Sequence, residues 1–254
     1  MIPKIIHFCW LSGDEYPALV KSCLDSWQRI MPDYQIVLWD TKRFDINSHP
    51  YVKAAFKAKK YAFCADYIRI YALYTMGGIY LDSDVMVYKS FDPFLVHKSF
   101  TSIEFHTNFL YARVSGKKEK LVGVEAAVIG SEPGENWLKD VLDYYDNAQF
   151  YAKGPKRDYN IMPRVIARVL AEKYNFEYIP VFQELSNGLV IYSSDVFSDK
   201  KVPGIIPTKF SSHMCNNSWG KGKDEKLKNA LRSFLRKTGL LKFVRDLRGL
   251  PNID

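Results

Sequence analysis

Two carboxylates, Asp82 and Asp84, flank a single serine just after the apolar run Ile79-Tyr80-Leu81. If that run is a strand and the triplet extends it, side chains at i and i+2 project to one face. The carboxylates then converge while Ser83 points away. Convergent carboxylates are hard oxygen ligands suited to Mg²⁺ or Mn²⁺. In an open α/β sheet, the crevice beyond a strand's carboxyl end is also where ligands bind. A D-x-D triplet by itself equally suits a turn or a helix cap. Upstream, Asp66 and Arg69 are three apart and share one helical face with Leu73. On a surface they would form an ordinary ion pair worth roughly 0.3–0.5 kcal/mol. Their neighbours Phe63, Cys64, Ala65, Ile68, Ile70 and Ala72 are apolar, so the pair reads as buried, and buried charges need a partner or a task.

The elements that must hold these groups follow from hydrophobic spacing. Ile5-Ile6-His7-Phe8 reads as a buried strand. Residues 17–31 place Leu19, Cys23, Ser26-Trp27 and Ile30 at helical spacing, and Pro32-Asp33 ends the run. Tyr34-Gln35-Ile36-Val37-Leu38-Trp39 is a second strand closing on Asp40. Strand, helix and strand at this spacing make a βαβ unit, and hence a parallel pair in an α/β sheet. Residues 61–76 form the clearest helix, with Gly77-Gly78 as its C-terminal stop before the strand that delivers Asp82. A strand over 126–130 leads in βαβ-like fashion into a helix over 135–145, and another helix is expected over 163–174. Short apolar runs at 178–182, 189–192 and 205–206 read as strands or edges. No internal repeat or low-complexity segment is present.

At 254 residues the chain suits one domain with an appendage. Apolar residues at 47% and charged residues at 25% exclude a disordered or fibrous chain. Cys9, Cys23, Cys64 and Cys215 are scattered among apolar neighbours, which fits reduced core thiols of a cytosolic protein rather than a disulfide framework. The opening MIPKIIHFCW is too short an apolar run for a signal peptide, and nothing approaches the ~20 apolar residues of a membrane span. The expectation is a soluble, cytoplasmic protein. Ten of the 36 basic residues fall in 221–248 against three of the 28 acidic ones, so that segment carries +7 of the net +8. The body is close to neutral, which argues against a nucleic-acid binder with a basic stripe across its working face. A boundary is expected near residue 220, at Trp219-Gly220-Lys221-Gly222-Lys223.

The segment AKKYAFCADYIRIYALYTMGGIYLDSDVMVYKSFD resembles the signature of glycosyltransferase family 32, the DXD-containing sugar transferases. The wider pattern also resembles the glucosylating domain of large clostridial toxins. IPKIIHFCWLSG matches the family's first strand, CLDSWQRIMPDYQIVLWD its second unit, and residues 213–219 its closing motif, so the resemblance covers about residues 1–220. It implies a GT-A fold, a Rossmann-like, mostly parallel sheet flanked by helices, with residues 221–254 as a basic helical tail. The implied ligands are a divalent metal, Mn²⁺ or Mg²⁺, and a nucleotide sugar.

Carried onto this chain, the resemblance implies that Asp84 holds the metal and that Asp82 reaches both the metal and the donor ribose or sugar. His213 becomes the third metal ligand; without the resemblance it would read as structural. Asp66 and Arg69 would grip hydroxyls of the transferred sugar, with Arg69 also near the phosphate, a task its planar fork suits. Trp10 would stack on the nucleotide base, or else pack in the core. Tyr80 would lie beside the donor, or else pack within its strand. Asn217, Ser218 and Trp219, with Asn216, would form a loop over the diphosphate. Met214 and Asn217 stand where the commoner family ending carries a second histidine and a glycine. Glu125 replaces a more usual neutral residue; it faces the acceptor or assists catalysis, or, as the default, it is a solvated loop carboxylate.

The implied reaction is metal-dependent, retaining transfer of a hexose from a UDP-glucose or UDP-galactose type donor. The acceptor would be a glycan or lipid-linked oligosaccharide in surface or capsular polysaccharide synthesis. No second carboxylate stands out as a covalent nucleophile, so front-face attack is implied, with the departing phosphate taking the acceptor's proton. A toxin-like protein transferase is the alternative within enzymes, though its usual large helical insert has no room here. A nucleotide-sugar binding module without turnover is a second alternative, yet both aspartates, Asp66 and Arg69 are present. Nucleic-acid binding through the basic tail is a third alternative, which predicts a steep salt dependence and no effect of UDP; a two-aspartate nuclease or phosphatase has no further support.

In the tail, Leu227, Leu231, Phe234 and Leu235 form an apolar stripe that Leu240, Leu241, Val244 and Leu247 continue, with Lys and Arg between. Such a helix either lies on an anionic membrane, peripheral to its inner face, or packs its stripe on the body. The membrane reading predicts that deleting residues 224–254 sharply weakens co-sedimentation with anionic vesicles. Unchanged binding would defeat it.

Overall fold

The computed structural model describes residues 1–105, 122–151, 161–198 and 209–214. The expected boundary near residue 220, the tail 221–254 and the short run at 205–206 lie outside them. Strand β1 (Ile5–Cys9), helix α1 (Ala18–Ile30) and strand β2 (Gln35–Trp39) form the expected βαβ unit, with β1 and β2 parallel and Ile6 beside Ile36. α1 buries Val20, Cys23 and Trp27, one face at helical spacing. It stops where the Met31 N–H bonds back to the Trp27 carbonyl at 2.9 Å, just before Pro32.

Helix α2 (Pro50–Lys57), with proline in its first turn, precedes α3 (Tyr61–Met76). α3 buries most of its circumference, Asp66 and Arg69 included, so the apolar residues around that pair do mark a buried helix. Its end depends on two glycines. Gly77 and Gly78 have φ of +66° and +106°, and a Cβ would meet Pro133 at 2.7 Å in the first case and the Ile5 carbonyl oxygen at 2.7 Å in the second. The reversal sends the chain directly into β3 (Gly78–Leu81), parallel to β1.

β4 (Val85–Val87) leaves the main sheet. It pairs antiparallel with β10 (Ser211–His213) as a separate ribbon. The chain continues through β5 (Ser99–Phe105), β6 (Val122–Val124), β7 (Val128–Ser131), α4 (Asn136–Asp146), α5 (Met162–Lys173), β8 (Gln183–Glu184) and β9 (Leu189–Tyr192). The main sheet runs β2-β1-β3-β7-β5-β9-β8, with β6 paired to β5. The pairs β2-β1, β1-β3 and β5-β9 are parallel. β7 runs antiparallel to both neighbours, so the passage from 126–130 into α4 is not the parallel unit its apolar pattern suggested. The physical reason is that β6 and β7 are two halves of one stretch laid back along β5. Ile103 faces Val124 and Phe100 faces Gly130, so the three residues Glu125–Ala127 bulge out of register. Residues 178–181 form bends and 182 is irregular, so no strand runs over 178–182.

Strand pleating separates the core. Ile79 and Leu81 pack with Ile6, Phe8 and Trp27 on one face, while Tyr80 packs with Ile70, Leu73, Ile129 and Trp137 on the other. Of the cysteines, Cys9, Cys23 and Cys64 are free thiols, and Cys215 lies outside the described residues. Among the described residues no helix is long and apolar enough to cross a membrane.

His7 in β1 is fully buried and ties three elements together. Trp39 Nε1 donates to its Nδ1 at 3.0 Å, which leaves the proton on Nε2 to donate to the Gly77 carbonyl at 2.8 Å. Burial pushes its pKa down to about 4, against the backbone bond, which favours the charged form. Between pH ~6.5 and 4 the unfolded chain therefore binds the extra proton. The contribution is complete above pH ~6.5 and is lost as pH falls through that window, about 3 kcal/mol in all. His7→Gln, which can keep both bonds, is expected to flatten the acid limb of denaturant-derived stability relative to wild type. Superimposable limbs would count against this assignment.

Candidate active site

The site forms where β3, the Glu125–Ala127 bulge and the β4–β10 ribbon meet. Asp82 and Asp84 do not lie on a strand face. The Val85 N–H bonds to the Asp82 carbonyl at 2.9 Å, closing a tight turn between β3 and β4. The carboxylates converge because of that turn and not because of a pleat. The ribbon supplies the third group: His213 sits opposite Val85, and the Met214 N–H bonds to the Asp84 carbonyl at 3.1 Å. His213 Nε2 lies 3.4 Å from Asp84 Oδ1 and 3.9 Å from Asp82 Oδ2. One ligand atom from each of Asp82, Asp84 and His213 falls within 4.8 Å of the others, and all three side chains are partly accessible. Two carboxylate oxygens and one imidazole nitrogen at that spacing fit a small divalent cation such as Mn²⁺ or Mg²⁺, with room for further ligands.

Beneath this cluster lies Arg69, with 4% of its surface exposed. Its Nη2 is 3.2 Å from Asp66 Oδ1 and 3.3 Å from Asp82 Oδ1. Its Nη1 donates to the Ala126 carbonyl, and its Nε to the Ala65 carbonyl at 3.3 Å. The guanidinium carbon stacks 4.6 Å from the centre of the Tyr80 ring. Burial alone would lower the Arg69 pKa, but Asp82, Tyr80 and Asp66 outweigh it and raise the value. Arg69 is a strut whose donors engage protein groups, linking the helix acid Asp66 to the turn acid Asp82.

Tyr80 is 1% exposed, so its ring packs within the core, while its hydroxyl donates to Asp82 Oδ1 at 3.1 Å. Tyr80 is thus a core residue whose polar end reaches the cluster. Trp10 follows the carboxyl end of β1 and is half-buried; its Nε1 donates to the Asp14 carbonyl at 2.7 Å, and its ring meets Tyr16 edge to face at 5.1 Å. Asn217, Ser218 and Trp219 lie outside the described residues.

Glu125 departs from its default reading. It is 3% exposed, not solvated. Its Oε1 accepts the Ala127 N–H at 3.0 Å and lies 3.6 Å from His213 Nδ1. The bulge contributes through its backbone as well, since the Ala127 carbonyl accepts the Asp82 N–H at 2.9 Å. Sequence reasoning missed this bulge. The available signal was a lone carboxylate inside the apolar run VGVEAAVIG. Removing Arg69 would take the buried cation away from two carboxylates and two carbonyls. Arg69→Met is expected to cost about 3–5 kcal/mol of stability by urea unfolding, and a loss under 1 kcal/mol would contradict the strut.

Residues 17–101 match the family model described as glycosyltransferase sugar-binding region containing DXD motif. The chain is 36% identical over 101 residues to inositol phosphoceramide mannosyltransferase 3 of Schizosaccharomyces pombe, a stretch covering 37% of this chain and 27% of that protein. It is 30% identical over 149 residues to the mannosyl phosphorylinositol ceramide synthase CSH1 of Saccharomyces cerevisiae, covering 56% and 35% respectively. The matched stretches thus span between 27% and 41% of the length of the curated relatives from these two yeasts. Among solved structures, the PaToxG glycosyltransferase aligns at a TM-score of 0.47 and 18% identity, over 68% of this chain and 69% of that one. The matched stretch, residues 17–101, holds Asp66, Arg69, Asp82 and Asp84, and it is this part of the chain that is similar to the DXD-containing glycosyltransferase sugar-binding region.

Proposed function

We propose that this protein is a metal-dependent glycosyltransferase that moves a hexosyl group from a nucleotide sugar to a hydroxyl acceptor with retention at the anomeric carbon. The observation that carries the reading is the convergence of Asp82, Asp84 and His213 beyond β3, braced from below by Arg69. A bound divalent cation supplies charge neutralisation for the diphosphate leaving group. The residues of the chain do the rest. Asp82, Asp84 and His213 hold the ion. Asp66, kept in place by Arg69 and with 12% of its side chain exposed, offers a carboxylate oxygen to a sugar hydroxyl. Trp10 presents an aromatic face at the end of β1 for a base.

In the transfer, the bond from the anomeric carbon to the phosphate oxygen breaks and a bond to the acceptor oxygen forms on the same face. The acceptor's proton passes to the departing phosphate oxygen, leaving a glycoside and a nucleoside diphosphate. Asp82 is hydrogen-bonded by Tyr80 and paired with Arg69, so it is oriented before the donor arrives, which is how fixed electrostatics lower such a barrier.

UDP-glucose or UDP-galactose as donor, a glycan or lipid-linked acceptor in surface polysaccharide synthesis, and a cytoplasmic setting at the inner membrane face complete the first reading. The names of the yeast relatives favour a second: a mannosyl donor and an inositol phosphoceramide-type lipid acceptor. Thermal unfolding with UDP-glucose, UDP-galactose and GDP-mannose, each with Mn²⁺ and with EDTA, separates them, because a bound donor raises the melting temperature by mass action. One donor is expected to give a shift that EDTA abolishes. With that donor, Asp84→Asn should lower kcat/KM by roughly 10²–10³-fold. No shift with any nucleotide sugar would overturn the function.

A further inference from the structure

We infer that Glu125 is the positioning carboxylate that orients His213 toward the metal cluster, acting through the imidazole and not on the ion itself. The inference rests on the metal site of the proposed function. Glu125 begins the three-residue bulge between β6 and β7, and its backbone is held on both sides: its N–H bonds to the Ser102 carbonyl at 2.7 Å, and its carbonyl accepts the Thr101 hydroxyl at 2.7 Å. Its carboxylate is anchored in turn by the Ala127 N–H at 3.0 Å. A side chain fixed at both ends cannot retreat to solvent, and with 4% of it accessible it stays in the protein. His213 Nδ1 faces it at 3.6 Å, while Nε2, on the other side of the ring, faces Asp84 at 3.4 Å and Asp82 at 3.9 Å.

The two nitrogens of one ring thus divide between two sets of acids. A carboxylate beside Nδ1 favours the tautomer with the proton there, and that leaves the Nε2 lone pair aimed between Asp82 and Asp84. This is the arrangement by which an outer carboxylate orients a metal-bound histidine and raises its basicity. The 3.6 Å contact is longer than a hydrogen bond. Closing it takes a shift of a few tenths of an ångström, and His213 stands on a two-stranded ribbon separate from the main sheet, whereas Glu125 is pinned.

The test is Mn²⁺ binding to the full-length protein, followed by loss of the free-ion electron paramagnetic resonance signal, which needs no turnover. Glu125→Gln keeps the side chain's volume and an acceptor for the Ala127 N–H but removes the charge that favours a proton on His213 Nδ1. It is expected to weaken Mn²⁺ binding by roughly 10–100-fold. In a His213→Ala background the same change should have no further effect, because Glu125 acts only through that ring. Wild-type affinity in Glu125→Gln, or an equal loss in both backgrounds, would overturn the inference. If wild-type protein itself binds no Mn²⁺, the metal site of the proposed function fails, and this inference with it. A second measurement does not depend on the variant folding: ¹⁵N spectra of the metal-free wild-type protein, at a pH where His213 is neutral, should show its proton on Nδ1. A proton on Nε2 would reject the inference even where Mn²⁺ binds.

Discussion

A guanidinium sealed beneath two carboxylates organises this structure. Arg69 touches Asp66 on its own helix, Asp82 on the turn after β3, and the Ala126 carbonyl on the bulge, and it stacks on Tyr80. Taking such a group out of water is costly, and only partners on several sides offset the loss. The same partners belong to four different segments, so the cation holds them at one mutual geometry. The acids above it are oriented without any ligand, which is the physical content of preorganisation.

The glycine pair and the buried histidine serve the same arrangement from the sheet side. Gly77 and Gly78 let α3 end and β3 begin with no intervening loop, so Arg69 on the helix and Asp82 after the strand face each other across a short, stiff reversal. His7 fastens that reversal through the Gly77 carbonyl and joins it to β2 through Trp39. The parallel half of the sheet thus supplies a rigid floor, and the groups at its carboxyl edge inherit its order. The bulge does the corresponding work from the antiparallel half. All three of its residues reach the site, Glu125 by its carboxylate and Ala126 and Ala127 by their carbonyls.

A large part of this was legible in the residues. The βαβ unit, the helix over 61–76 with its glycine stop, and the strand ahead of Asp82 all rest on local periodicity and turn chemistry, and they stand where those signals put them. The burial of the Asp66–Arg69 pair could be read from its apolar neighbours. What failed were inferences that need a pairing partner to be known. β7 has the apolar run of a buried strand whichever way it runs, and its direction is set by how it returns along β5. The aspartates were read as strand residues because their i, i+2 spacing suits a pleat, whereas a hydrogen bond to Val85 makes them a turn.

The sequence by itself determined the elements and the chemical types at their ends: two acids after a strand, an acid–base pair on a buried helix, a histidine late in the chain. Those types at those spacings also carry the likeness to the DXD-containing sugar-binding region matched over residues 17–101. Only the tertiary structure decided which of these groups meet. His213 reaches Asp82 and Asp84 through strand pairing between β10 and β4, and Glu125 reaches His213 through a register shift on β5. Both are long-range hydrogen-bond registers, and periodicity along one strand carries no information about the strand beside it.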